Sequence, residues 1–315
     1  MEKNVLLIGG GGTIGTYVAK ELSEKGVKVD ILCMEDTVSE NKNIRYIKAK
    51  VNLDFIKGFL AGKHYSCIMD LLHHPIPEDY IAFHMEIAPR TDHEIFVSSI
   101  RAIGDAQHPI TSSAPTILDL YEEGKFDDPV FMAQDDYSLS KARCERYLHQ
   151  VSAYKNWTIV RPMINSSDKR LDLIMHTWNK LIDYAKEGKT IYCPDICKDN
   201  VAGLEWAGNT GKMVANLMFK EENFGKTFML TTGHRMTWGE VGDIYAEFLG
   251  LKVEWVPRDE YDKHMGFTSW VIDYDRGYQR DADNTEILEG TGLKESDFTP
   301  FKEGIRQELI KLGAI

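Results

Sequence analysis

The stretch Val5-Leu-Leu-Ile-Gly9-Gly-Gly-Gly12-Thr-Ile-Gly15 constrains this chain more than any other. A short apolar run enters a glycine cluster, and a helical pattern starts at Thr13. Gly9, Gly12 and Gly15 form G-x-x-G-x-x-G. In that order, glycine permits a tight turn and lets the backbone approach a pyrophosphate. The helix that follows offers its first N–H groups and the positive end of its dipole. The flanking strand and helix give the pattern its weight. Gly9, Gly12, Thr13, Ile14 and Gly15 are therefore candidate dinucleotide-binding residues.

An acid past the second strand completes such a site by binding the adenosine ribose. Glu35 stands 20 positions after Gly15, with Asp36 beside it. No Lys or Arg occurs between Lys28 and Lys42, and none lies in the glycine loop. A 2′-phosphate would meet carboxylates there, so NAD is the expected cofactor rather than NADP.

Further along, short apolar runs alternate with helical patterns. Asn4–Ile8, Val29–Cys33, Tyr46–Lys48, Cys67–Leu71, Ile95–Ser98 and Thr158–Arg161 read as strands, which implies βαβ units and a parallel sheet. The polar stretch Gly104–Asp136 reads as a surface excursion, and Leu171–Lys186 as a helix. At 315 residues the chain has room for about two domains. The expected fold is an α/β Rossmann-type doubly wound parallel sheet over 1–165, with a smaller α/β substrate lobe over 166–315.

The net charge of −12 opposes general binding of nucleic acid or an anionic membrane, since both need a basic face. Five scattered cysteines make no disulfide framework, and a reducing compartment fits. Cys193 and Cys197 have no Cys/His pair nearby, so no metal site is expected. The opening apolar run is too short for a signal peptide, and none approaches a bilayer span of ~20 residues. These features fit a cytoplasmic enzyme.

Tyr137-Ser-Leu-Ser-Lys141 is Y-x-x-x-K, which places both side chains on one helix face. A free tyrosine with a pKa near ~10 is a poor base, and a neighbouring ammonium favours its phenolate. Phe96-Val-Ser98-Ser99 ends a strand in two hydroxyls, where open α/β sheets bind ligands. His73 and His74 follow the fourth strand, and a histidine there can titrate near neutral pH and contact a substrate.

With these segments in view, the chain resembles the extended short-chain dehydrogenase/reductases of the NAD-dependent epimerase/dehydratase family. Gly9–Gly15, Ser98–Gly104 and Tyr137–Lys141 carry the resemblance, with weaker echoes at Val160-Arg-Pro162 and Asp283-Asn284. It implies Tyr137 as general acid/base. Lys141 would lower the pKa of Tyr137 and bind the nicotinamide ribose. Ser99 would be the hydroxyl partner, and Glu35 and Asp70 cofactor-site acids. It also suggests a homodimer formed through helices that include the one bearing Tyr137.

Two departures narrow the activity. Ile100 and Arg101 follow Ser99 where the family's dehydratases carry an acidic pair, which disfavours elimination of water. Asn165 stands one step beyond the family's usual asparagine. Arg235, Arg276 and Arg280 are candidate clamps for a substrate diphosphate, because arginine binds phosphate bidentately. The resemblance thus implies an NAD-dependent epimerase of a sugar, in the form of a nucleotide sugar. A one-way reductase or dehydrogenase of a keto sugar or other small carbonyl would use the same residues. A non-catalytic dinucleotide sensor is the alternative of another class.

Overall fold

The computed structural model describes residues 3–134 and 136–315. The strands run β1 (Asn4–Ile8), β2 (Lys28–Cys33), β3 (Ile44–Lys48), β4 (Cys67–Asp70), β5 (Glu94–Val97), β6 (Trp157–Pro162), β7 (Ile164–Ser166), β8 (Asp172–Leu173), β9 (His176–Thr177), β10 (Thr190–Pro194), β11 (Leu204–Trp206), β12 (Lys226–Leu230) and β13 (Lys252–Val256). The helices are α1 (Thr13–Glu24), α2 (Leu53–Leu60), α3 (Pro77–Ile87), α4 (Ile117–Glu122), α5 (Pro129–Gln134), α6 (Asp136–Gln150), α7 (Trp178–Glu187), α8 (Ala207–Leu217), α9 (Trp238–Leu249), α10 (Arg258–Met265), α11 (Thr285–Thr291) and α12 (Phe301–Lys311).

A seven-stranded parallel sheet has the order β12-β6-β5-β4-β1-β2-β3. Its strands are apolar on both faces because helices cover both, as parallel sheets require. Leu7 and Val5 pack with Val18 and Leu22 of α1 and Met213 and Leu217 of α8. Leu6 and Ile8 face the other way, against Ile56 and Leu60 of α2 and Ile87 of α3. After β3 the chain crosses β1 to lay down β4. That reversal opens a crevice outside the carboxyl ends of β1 and β4, where such sheets take their ligands.

The second half builds its own core from Leu171, Leu181, Ile191, Trp238, Tyr245, Ile305 and Leu309. Thr237 caps α9 through a capping box with Glu240, and Gly250 ends it in the left-handed conformation at φ 67°. The chain does not divide cleanly at residue 165. β12 returns to pair in parallel with β6, and α8 lies against α1, so part of 166–315 belongs to the cofactor-binding layer.

Two local expectations are corrected. Leu171–Lys186 is not one helix: Asp172 pairs with Thr177 and Leu173 with His176 in an antiparallel hairpin, and only Trp178–Glu187 is helical. Leu171, Leu173 and Met175 alternate, so the segment carries a strand period under its helical one. Gly104–Asp136 is not a bare excursion. It holds α4 and α5, Ile103 bridges Thr116, and Ile110 bridges Ala282 of the second half.

Candidate active site

One cleft of about 610 Å³ runs from the glycine loop to the second lobe. Gly9, Gly12, Thr13, Ile14 and Gly15 line one end; Ser98, Ser99, Arg101, Tyr137 and Lys141 line the middle; Asn165, Asp275 and Arg276 line the far side.

The glycine loop works through what it leaves out. Gly9 sits at φ +75°, a conformation other residues rarely adopt. A Cβ at Gly12 would meet nothing within 4 Å, so open space stands over the start of α1. Gly12 is also the N-cap of α1, and no side chain caps that turn. The first N–H groups are therefore available to an anion. On these observations the loop fits a dinucleotide pyrophosphate. Glu35 is exposed at the end of β2, with its carboxylate oxygen 3.0 Å from where a Cβ on Gly11 would stand.

Ser99 and Tyr137 reach the cleft from different elements. Ser99 follows β5 and is 8 % exposed. Its Oγ accepts the Arg101 backbone N–H at 3.1 Å, so its own hydrogen remains available for another oxygen. Ser98 Oγ is buried, and no protein partner for it occurs among the described residues. Tyr137 stands in the first turn of α6, half-buried. One turn on, Lys141 is buried at 3 % exposure and donates to the backbone carbonyls of Leu72 at 2.8 Å and Val97 at 2.7 Å. Burial pulls the Lys141 ammonium below its ordinary pKa, against Asp70, Cys144 and Glu145, which raise it.

His73 lies beside the site. Its ring centre is 5.0 Å from that of Tyr137, and its Nε2 is 2.9 Å from Ser140 Oγ. Ser140 gives its own hydrogen to the Tyr137 carbonyl at 2.9 Å, so the His73 Nε2 is the donor in their contact. Asp70 is fully buried under the cleft. It accepts the Leu72 N–H at 2.9 Å and holds His74 Nε2 at 2.7 Å, which shapes the loop after β4.

The three nominated arginines part company. Arg276 lines the cleft and donates to the Ile174 carbonyl at 3.0 Å. Arg280 sits behind it, 1 % exposed, bound to Asp275 Oδ1 and the Ile103 carbonyl. Arg235 is elsewhere: it pairs with Asp281 and lines a separate cavity with His234 and Phe301. Asn165 lines the cleft and donates to the Met163 carbonyl at 2.8 Å.

Three features escape sequence reasoning. Lys169 reaches back to donate to the Gly11 carbonyl, which brings a cation to a loop that has none of its own. Ile174 takes φ 59°, a strained conformation for a β-branched residue, and points its carbonyl at Arg276. Asp275, fully buried, is met by Arg276, by Arg280 at 3.1 Å and by Arg101 at 3.8 Å. Burial raises the Asp275 carboxyl, and Arg276, Arg280 and Arg101 outweigh it, for a net position below the usual range. Lys169 with Gly11, Ile174 with Arg276 and Arg101 with Asp275 each join residues far apart in the chain, so no local pattern signals these contacts.

No protein-family model and no curated protein matches this chain. Solved structures do match in fold. An epimerase of Methanothermobacter thermautotrophicus is 14% identical with a TM-score of 0.71, covering 98% of this chain and 91% of that one. The enzyme WbmG of Bordetella bronchiseptica, solved with NAD and UDP, is 15% identical with a TM-score of 0.71, covering 100% and 96%. A UDP-glucose 4-epimerase of Thermotoga maritima, solved with UDP-glucose, is 16% identical with a TM-score of 0.70, covering 98% of each chain. This chain has their fold along its whole length.

Proposed function

We propose that this chain is an NAD-dependent epimerase of a nucleotide sugar and a member of the extended short-chain dehydrogenase/reductase group. One observation carries the reading: Ser99, Tyr137 and Lys141 line the same cleft as the uncapped glycine turn at Gly9–Gly15. The fold is that of solved epimerases, and WbmG was solved with NAD and UDP in place. No helix among the described residues is long and apolar enough to cross a membrane.

The chain's part in the chemistry follows from these groups. The N–H groups at the start of α1 hold the pyrophosphate, and the Glu35 carboxylate takes ribose hydroxyls. When bound, NAD supplies a reversible two-electron sink. The Tyr137 oxygen takes the proton of the sugar hydroxyl as the carbon beneath is oxidised, and returns it afterwards. Ser99 Oγ donates to the same sugar oxygen. The buried Lys141 ammonium stabilises negative charge on Tyr137. Epimerisation also requires the keto sugar to present its second face before the proton returns.

The test is cofactor bookkeeping. The purified protein is expected to carry NAD(H) and to interconvert a nucleotide sugar with its epimer without net change in absorbance at the NADH band. Stoichiometric consumption of added cofactor would assign a one-way reductase instead.

A further inference from the structure

Resting on the NAD-dependent reading, we propose that Lys169 is a cofactor-retaining residue: its ammonium binds the dinucleotide pyrophosphate and supplies the positive charge that the glycine turn lacks. Lys169 is delivered by the turn Ser167–Arg170, between β7 and β8. The turn is closed on itself. The Ser167 N–H donates to the Arg170 carbonyl at 2.7 Å, and the Arg170 N–H returns to the Ser167 carbonyl at 2.9 Å. The Lys169 N–H donates to Ser167 Oγ at 3.0 Å. Three further contacts fix this turn against the start of α1. Ser167 Oγ donates to Thr13 Oγ1 at 3.2 Å. The Asp168 N–H donates to Glu308 Oε2 at 2.8 Å, and the other Glu308 oxygen accepts the Tyr17 hydroxyl from α1. Lys169 Nζ donates to the Gly11 carbonyl.

Gly11 and Thr13 flank Gly12, the N-cap of α1, where no side chain takes the first N–H groups. The turn from the second half thus grips both neighbours of the residue assigned to the pyrophosphate. A pyrophosphate brings two negative charges, whereas a helix end offers roughly half a positive one. An ammonium has three donors, of which the Gly11 carbonyl takes one. The Glu35 carboxylate oxygen lies 3.0 Å from where a Cβ on Gly11 would stand, which opposes a 2′-phosphate there and leaves the pyrophosphate as the anion for Lys169. That the cleft takes a ligand has separate support. Ser98 and Asn165 line it at 2% and 4% exposure, and Ser98 Oγ and Asn165 Oδ1 have no protein partner among the described residues. Buried polar atoms of this kind are otherwise satisfied by a ligand or ordered water. An epimerase returns its hydride to the sugar that gave it, so its cofactor must leave slowly. A charge-assisted hydrogen bond from the second half to the pyrophosphate serves that need and strengthens binding by roughly tenfold or more.

The experiment measures NAD and NADP affinity across a salt series, and the rate at which bound NAD is lost on dilution, in wild type, Lys169→Met and Lys169→Arg. Lys169→Met is expected to bind NAD roughly tenfold more weakly at low salt and to lose it faster. Its deficit should shrink as salt is raised, because salt screens the lost charge. Lys169→Arg should keep most of the wild-type affinity. An NAD-induced rise in melting temperature in each variant shows that it is folded. Wild-type NAD affinity in Lys169→Met overturns the proposal. A deficit that stays constant with salt also overturns it and marks Lys169 as a structural tie to the Gly11 carbonyl. NADP bound more tightly than NAD by wild type, with the preference lost in Lys169→Met, overturns it and marks a 2′-phosphate contact. Absence of dinucleotide binding by wild type overturns the NAD-dependent reading itself.

Discussion

A Cβ placed on Gly15 would stand 2.3 Å from the carbonyl oxygen of Gly10. The first turn of α1 is therefore pressed onto the glycine loop more closely than any side chain allows. Gly15→Ala must push α1 away from the loop, and overpacking of this kind costs about 1–3 kcal/mol. The expected outcome is a lower urea midpoint and a larger loss of NAD affinity, read by fluorescence titration. Gly12→Ala, with open space at its Cβ, should leave stability nearly unchanged while its methyl group intrudes where the pyrophosphate is assigned.

Asp275 is the sole carboxylate among the described residues that the structure pairs with Arg276 and Arg280. Asp275→Asn leaves two buried guanidinium groups without their counter-charge. Breaking a buried pair in this way costs about 3–5 kcal/mol. Equilibrium urea unfolding should show a lower midpoint with an unchanged slope.

His93 gives a pH signature. It is fully buried on the N-terminal side of β5, with Nε2 2.8 Å from Thr158 Oγ1 and Nδ1 accepting the Phe219 N–H at 3.2 Å. Burial lowers its pKa from 6.5 to about 4. The unfolded chain takes a proton near pH 6.5, and the folded chain refuses it until about 4. The stability from this group is thus complete above pH 6.5 and is lost as pH falls through that window. The full loss is about 3 kcal/mol at 1.36 kcal/mol per unit. His93→Gln retains a donor and an acceptor. Its urea midpoint should fall less than that of wild type between pH 6.5 and 4.5, and parallel curves would contradict the assignment.

How much of this was legible beforehand depended on distance along the chain. The turn Gly9–Gly15 and the pair Tyr137 and Lys141 are local. Spacing alone sets their geometry once a strand or a helix forms, and the alternation of strands and helices carried the α/β class. The hairpin at Asp172–Thr177 was hidden because Leu171, Leu173, Ile174 and Met175 satisfy two periods at once. Tertiary pairing decided between them. The return of β12 to β6, the reach of Lys169 to Gly11 and the approach of Arg101 to Asp275 depend on how the second half folds over the first. Arg235 was misplaced for the same reason: a solitary arginine carries no signal of which cavity it will line.

The central claim is that Tyr137 moves the proton in the cleft it shares with the glycine turn. Tyr137→Phe removes one oxygen and leaves the Lys141 contacts to Leu72 and Val97 in place. The direct measurement is single-turnover reduction of bound NAD on mixing with nucleotide sugar, in wild type and Tyr137→Phe. The account predicts NAD affinity within a few-fold of wild type and a rate reduced by about 10²–10⁴-fold, the usual size of a lost general acid/base. A Tyr137→Phe variant that reduces its NAD at the wild-type rate would contradict it.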